Sequence, residues 1–248
     1  METITDRQGS NLHERLVRLG EWYRSQADGV ASGEIEDLLH KLAADEVTLA
    51  FCGHFSAGKS SLINMLCGKQ VLSSGPIPTT ANIAALRNGA PKVRLTKVAS
   101  EAGISKELIT LSTAELDEYC RDGNTYAMIE IWDEIKLLEN GGVLLDTPGV
   151  DSGEAAHMVA TNSALHLADV VFYVMDYNHV LSESNLSFAR RLADWGKPLY
   201  LVVNQIDKHR ENELSFADYR RSVEQAFELW GIVPAGCSIF RLRSWIIR

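Results

Sequence analysis

The chain has 248 residues, 46% of them apolar and 23% charged, which suffices to bury a full core and excludes a disordered protein. Its 24 basic residues fall short of the 33 acidic ones, and a net charge of −9 argues against any general attraction for nucleic acid or anionic lipid. The longest apolar runs, such as Val170 to Met175, have strand length and fall well short of the roughly 20 residues of a membrane helix. Four cysteines, Cys52, Cys67, Cys120 and Cys237, form no C-x-x-C pair. The start of the chain lacks a basic-apolar leader, so they read as reduced cytosolic thiols.

Along the chain, Leu12, Leu16, Leu19, Trp22 and Tyr23 recur at helical spacing and predict a helix over 11–25. Ile35, Leu38, Leu39 and Leu42 repeat the pattern after a glycine-containing break at 29–33. Residues 47–52 then form an apolar strand, followed at once by a glycine-rich turn and a helix opening near Lys59. Further strands are expected at 82–86, 92–96, 129–132, 143–146, 169–175, 199–204 and 237–240, and helices at 113–121, 154–168, 183–194 and 214–229. From residue 143 onward strands alternate with helices, the mark of an α/β fold built on a mainly parallel sheet flanked by helices. Two parts are expected: N-terminal helices over 1–45 and a layered domain over 46–248.

Three motifs carry chemistry. Gly53, His54, Phe55, Ser56, Ala57, Gly58, Lys59 and Ser60 fit G-x-x-x-x-G-K-[ST] between a strand and a helix, the setting of a phosphate loop. Such a loop aims backbone amides and a helix N-terminus at phosphate oxygens, its lysine neutralises β/γ-phosphate charge, and the Ser60 hydroxyl is a Mg²⁺ ligand. Asp146, Thr147, Pro148 and Gly149 follow an apolar strand. That strand delivers Asp146 to its C-terminal end, where a carboxylate holds Mg²⁺ through water, and Gly149 offers its amide to a γ-phosphate. A third apolar strand ends in Asn204, Gln205, Ile206 and Asp207. A carboxylate accepts two hydrogen bonds from the N1–H and exocyclic amine of guanine, and adenine lacks that paired edge, so Asp207 reads the base. Either tetrapeptide alone is more often a strand-end turn. All three in this order specify a GTP- and GDP-binding P-loop fold with Mg²⁺.

The details resemble the dynamin-like GTPases of Gram-positive bacteria, over about residues 46–236. The resemblance rests on the loop from Gly53 to Ser61, on Leu72 to Asn82 with its Pro-Thr-Thr, on Asp-Thr-Pro-Gly, and on the long span between Thr80 and Asp146. It implies that Thr80 is the switch threonine that coordinates Mg²⁺ and senses γ-phosphate, with Thr79 as the alternative register. The metal set is then Ser60, Thr80 and Asp146. It implies catalytic roles for Ser56, Lys59 and Thr80, with Ser56 helping to hold a monovalent cation, K⁺ or Na⁺. The nucleotide lies against Gly53 to Ser61, Gly149, Asn204, Gln205, Asp207 and Lys208. The N-terminal helices resemble part of a neck bundle, although plain core-covering helices fit the pattern nearly as well.

Three positions depart from the pattern. Val150 stands where Ras-type GTPases place a water-orienting glutamine. Phe55 occupies the loop position that is glutamine in animal dynamins, and Gln205 replaces the lysine of N/T-K-x-D. No recognisable fifth guanine-nucleotide motif follows Pro234, Ala235 and Gly236, and the tail from Cys237 to Arg248 looks unlike the family. The resemblance implies GTP hydrolysis to GDP and phosphate in a GTP-dependent homodimer, serving membrane remodelling with indirect membrane contact and no nucleic acid. The location expected is cytoplasmic, with a peripheral site at the inner face of the cell membrane. Competing readings are a nucleotide-dependent binding module with little turnover and a ribosome-assembly GTPase.

Overall fold

The computed structural model describes residues 4–72, 83–97, 126–149 and 165–239. The expected helix at 113–121, most of that at 154–168, and the residues Thr79, Thr80, Cys120 and Val150 lie outside these residues.

The chain divides into two compact units, Met1–Val47 and Thr48–Arg248. The first holds helices α1 (Ile4–Ser25) and α2 (Gly29–Ala44). The break between them falls at 26–28, before the glycines expected to make it. Asp28 explains the difference: its side chain accepts from the Ala31 N–H at 3.0 Å and caps α2, which leaves Gly29 and Gly33 inside the helix. Gly20 faces α2 so closely that a Cβ there would lie 3.2 Å from Ile35 Cγ2. Asp45, in the left-handed region at φ 52°, ends α2 with its N–H on the Leu42 and Lys41 carbonyls.

The second unit is built on an eight-stranded sheet in the order β3-β4-β2-β5-β1-β6-β7-β8. In chain order its elements are β1 (Val47–Gly53), α3 (Lys59–Cys67), β2 (Ile83–Asn88), β3 (Lys92–Lys97), β4 (Tyr126–Asp133), β5 (Gly142–Asp146), β6 (Val170–Asp176), α4 (Glu183–Asp194), β7 (Leu199–Asn204), α5 (Phe216–Leu229) and β8 (Gly236–Ile239). The sheet is mixed. β1, β6, β7 and β8 run parallel in succession and β2 pairs parallel with β4, whereas β2–β5 and β3–β4 are antiparallel.

Alternate residues of the central strands enter two cores. Cys52, Tyr173 and Leu201 pack with Phe188 of α4 and Val223 and Phe227 of α5. Phe51, Val174 and Leu144 pack with Ile63 of α3 and with Leu86 and Ile131. Serines 182 and 215 accept from the third N–H onward and set the starts of α4 and α5. The parallel register aligns Gly53 with Val174 and Asp176 with Asn204, so the motif-bearing ends of β1, β6 and β7 share one edge. β5 brings Asp146 there, opposite Ala84 of β2. Among the described residues no helix is long and apolar enough to cross a membrane.

Candidate nucleotide site

The phosphate loop leaves β1 at Gly53, whose φ of 149° and contact with β6 both demand glycine: a Cβ would lie 2.0 Å from the Val174 carbonyl oxygen. Ser56 at φ 60° and Gly58 at φ 96° complete the turn into α3, and no side chain caps that helix. An uncapped N-terminus next to left-handed residues is a concave array suited to an anion. Lys59 is buried, and its Nζ donates to the carbonyls of Gly53 at 2.9 Å and His54 at 3.0 Å. His54 is half-buried, Phe55 and Ser56 are exposed, Ala57 is buried, and Ser61 is half-buried on the first turn of α3.

Ser60 Oγ donates to Asp146 Oδ2 at 2.6 Å across the gap between α3 and β5. Asp146 is fully buried, and its Oδ1 has no hydrogen-bond partner among the described residues. Burial pushes its carboxyl from an ordinary 3.8 to about 6, against the opposing pull of the Lys59 charge and the Ser60 hydroxyl. A buried, half-satisfied carboxylate beside a hydroxyl fits Mg²⁺, a hard cation that takes few protein oxygens and keeps several waters. Among the described residues no group of three or more His, Cys, Asp or Glu could form an all-protein metal cage. Thr147 holds the end of β5 in place: its N–H and its Oγ1 both donate to the Phe51 carbonyl, at 3.2 and 3.1 Å. Gly149 lies against the phosphate loop, where a Cβ would come within 2.8 Å of Phe55 N and 2.9 Å of Phe55 Cα.

The end of β7 reaches the same loop. Buried Asn204 donates its Nδ2 to the Ala57 carbonyl at 2.9 Å and accepts from the Gln205 N–H at 2.7 Å. Gln205, at φ 65°, donates its Nε2 to the Ser56 carbonyl at 2.8 Å. Asp207 is exposed on the single turn Ile206–Lys208 that follows, and Lys208 pairs with Asp176 at the end of β6.

Residues 49–207 match the profile of the dynamin family. The chain belongs to that family. This dynamin-family chain is 40% identical over 219 residues to Dynamin-like protein A of Bacillus subtilis, covering 87% of the chain and 18% of that protein. It is 28% identical over 194 residues to Dynamin-like protein 2 of Campylobacter jejuni, covering 77% of the chain and 31% of that protein. It thus spans well under half the length of either. It shares its fold with a solved chain of an oligomerised bacterial dynamin pair, at a TM-score of 0.62 and 17% identity over 98% of this chain and 47% of that one. A further solved bacterial dynamin chain matches at a TM-score of 0.59 and 22% identity, over 86% and 33% of the two chains.

The loop from Gly53 to Ser61, Asp146, Gly149, Asn204, Gln205, Asp207 and Lys208 all lie where β1, β5 and β7 end, on one side of the sheet. Thr80 lies outside the described residues. Thr147 and Asp176 were missed by motif reading. Thr147 is one of the two variable positions of its tetrapeptide, D-x-x-G. Asp176 had a usable signal: it ends an apolar strand as Asp146 does.

Proposed function

We propose that this domain binds GTP with Mg²⁺ and hydrolyses it to GDP and phosphate. One observation carries the reading: a buried lysine, a Ser60–Asp146 pair and the Asn204–Gln205 corner meet on a single phosphate loop. In this reading the loop amides cradle the phosphates, and Lys59 turns from the Gly53 and His54 carbonyls to oppose β/γ charge. Gly149 donates its N–H to the γ-phosphate, and Asp207 accepts from the guanine edge. Ser60, Asp146 and Thr80 would hold Mg²⁺, which supplies charge neutralisation at the β/γ oxygens.

No glutamine stands at position 150 or 55 to orient the attacking water. Completion of the site by a second GTPase domain answers that gap, with K⁺ or Na⁺ beside Ser56 as the charge-compensating group, since the loop from Gly53 to Ser61 holds one lysine, Lys59, and no arginine. Residues 1–45 serve as neck helices and 46–248 as the GTPase domain. Similarity to bacterial dynamins described as sensing and tethering membranes supports a role at a membrane surface, with lipid contact made through a partner or a longer form of the protein.

Equilibrium binding of GTP, GDP and ATP, followed by phosphate release, tests the reading. GTP and GDP should bind and ATP should not. Lys59→Ala should abolish triphosphate binding because it removes the point charge and leaves the loop backbone intact. Equal affinity for ATP and GTP, or an unaffected Lys59→Ala variant, would sink it.

A further inference from the structure

Asp176 belongs to none of the three motifs, yet it is tied to the turn that carries Asp207. It ends β6, in register with Asn204 of β7. Its carboxylate is 14% exposed and serves three partners. Oδ1 accepts from the Asn178 N–H at 2.8 Å and faces His179 Nδ1 at 3.3 Å, and Oδ2 takes the Lys208 ammonium. Burial alone would raise its pKa, but the Lys208 ammonium, the Asn178 N–H and the His179 charge together hold it below the ordinary carboxylate value.

The next residue makes a second tie. Tyr177 N donates to the Asn204 carbonyl at 3.0 Å, and its hydroxyl meets His209 Nδ1 at 2.7 Å. Tyr219 of α5 backs this contact, with its hydroxyl on the Tyr177 carbonyl at 3.1 Å and its ring 4.4 Å from that of Tyr177. The turn Ile206–Lys208 is therefore held at both ends: Asn204 and Gln205 bind it to the phosphate loop, and Lys208 and His209 bind it to the end of β6. Asp207 itself is exposed, so the direction of its carboxylate follows from how the turn is held. Lys208 is its immediate neighbour. An exposed ion pair would be worth little here, but this one closes on a carboxylate that is mostly buried and already fixed by a backbone N–H.

We infer that Asp176 is a positioning residue for base recognition: through Lys208 it fixes the turn that presents Asp207, so that discrimination of guanine depends on a carboxylate outside the base-reading motif. The inference rests on the proposed GTP site. A bidentate contact is the part most sensitive to misplacement. Guanine offers Asp207 two donors, whereas hypoxanthine, which lacks the exocyclic amine, offers one. A turn that loses its hold should therefore lose affinity for guanine nucleotides more than for inosine nucleotides.

The test measures affinities of GDP and inosine diphosphate for the wild type, Asp176→Asn, Lys208→Met and the double variant, by competition with a fluorescent GDP, alongside thermal unfolding of each. Asp176→Asn is isosteric. It should weaken GDP by about tenfold and inosine diphosphate by less than about threefold, within the range seen for contacts that act as a unit. Lys208→Met should narrow the ratio equally, and the double variant should be no worse than either single one. An unchanged ratio, whether affinities hold or fall together with a lowered unfolding temperature, would reduce the pair to a structural role and overturn the inference. Wild-type protein that fails to prefer GDP over ADP would instead reject the GTP site itself, and the inference with it.

Discussion

Asp146 shows how a single residue can be costly to the fold while serving, in the proposed reading, the metal of the site. Its carboxyl is raised from 3.8 to about 6, chiefly by burial. The folded state therefore binds this proton more tightly than the unfolded state, so the contribution of this group to stability is fully present below about pH 4 and is lost as pH rises through 6. In metal-free, nucleotide-free protein at pH 8 the full cost, on the order of 2 to 3 kcal/mol, is present. Asp146→Asn removes the charge and keeps an oxygen to accept from Ser60. The variant should unfold several degrees above the wild type at pH 8, with the gap closing near pH 4, while losing Mg²⁺-dependent GTP affinity. A gap independent of pH would show that the buried charge is not its source. The three motif residues Lys59, Ser60 and Asp146 were legible because a charged or hydroxylic group after an apolar strand has few structural uses. The bond from Gln205 to Ser56 was not legible, since it joins positions far apart in sequence and depends on two strands ending at one edge. Glutamine lacks the ammonium with which a lysine at this position steadies the loop, and Gln205 reaches the loop with its side-chain amide, which donates to the Ser56 carbonyl.

At the scale of elements, the apolar runs located the central strands, and their ends carried the motifs. The strand–helix alternation after residue 143 announced the parallel part of the sheet, whereas the strands before it carry no such alternation, so the antiparallel β2–β5 and β3–β4 pairs came only with the structure. β4 also starts at Tyr126, three residues before the run that announced it, because Met128 pairs with Ile83 on one side and Thr96 on the other. Pairing there overrides the weak strand preference of Ala127 and Met128. The meeting of the β5 end with the phosphate loop is tight enough to test. Gly149→Ala places a methyl against the backbone of Phe55 and must move one segment. GTP affinity should fall by about tenfold or more, and GDP affinity far less, because in the proposed site only the triphosphate uses the Gly149 N–H. Equal losses for the two nucleotides would remove Gly149 from the γ-phosphate contact.

At the scale of the whole molecule, turnover should depend on a second copy. Phosphate release per molecule should rise across a protein dilution series, and K⁺ or Na⁺ should support it better than a bulky organic cation at equal ionic strength. Ser56→Ala should erase that cation preference. Supplying missing transition-state charge accelerates related GTPases by roughly 10³–10⁵, so the effect should be large. Activity that is flat with concentration and indifferent to the cation would reject completion by a partner. The joint between the two compact units has a mechanical consequence of its own. α2 ends at Ala44 and β1 opens at Val47, so Asp45 and Glu46 are the only residues of the chain between that helix and that strand. Tension applied through the helical pair has no slack to absorb it and enters β1 directly, six residues before Gly53. That strand is gripped by β6 along its length, from Leu49 to Gly53. A pull at Val47 is carried into the sheet as shear across the hydrogen bonds of that pairing, so the phosphate loop is shielded from it until they yield.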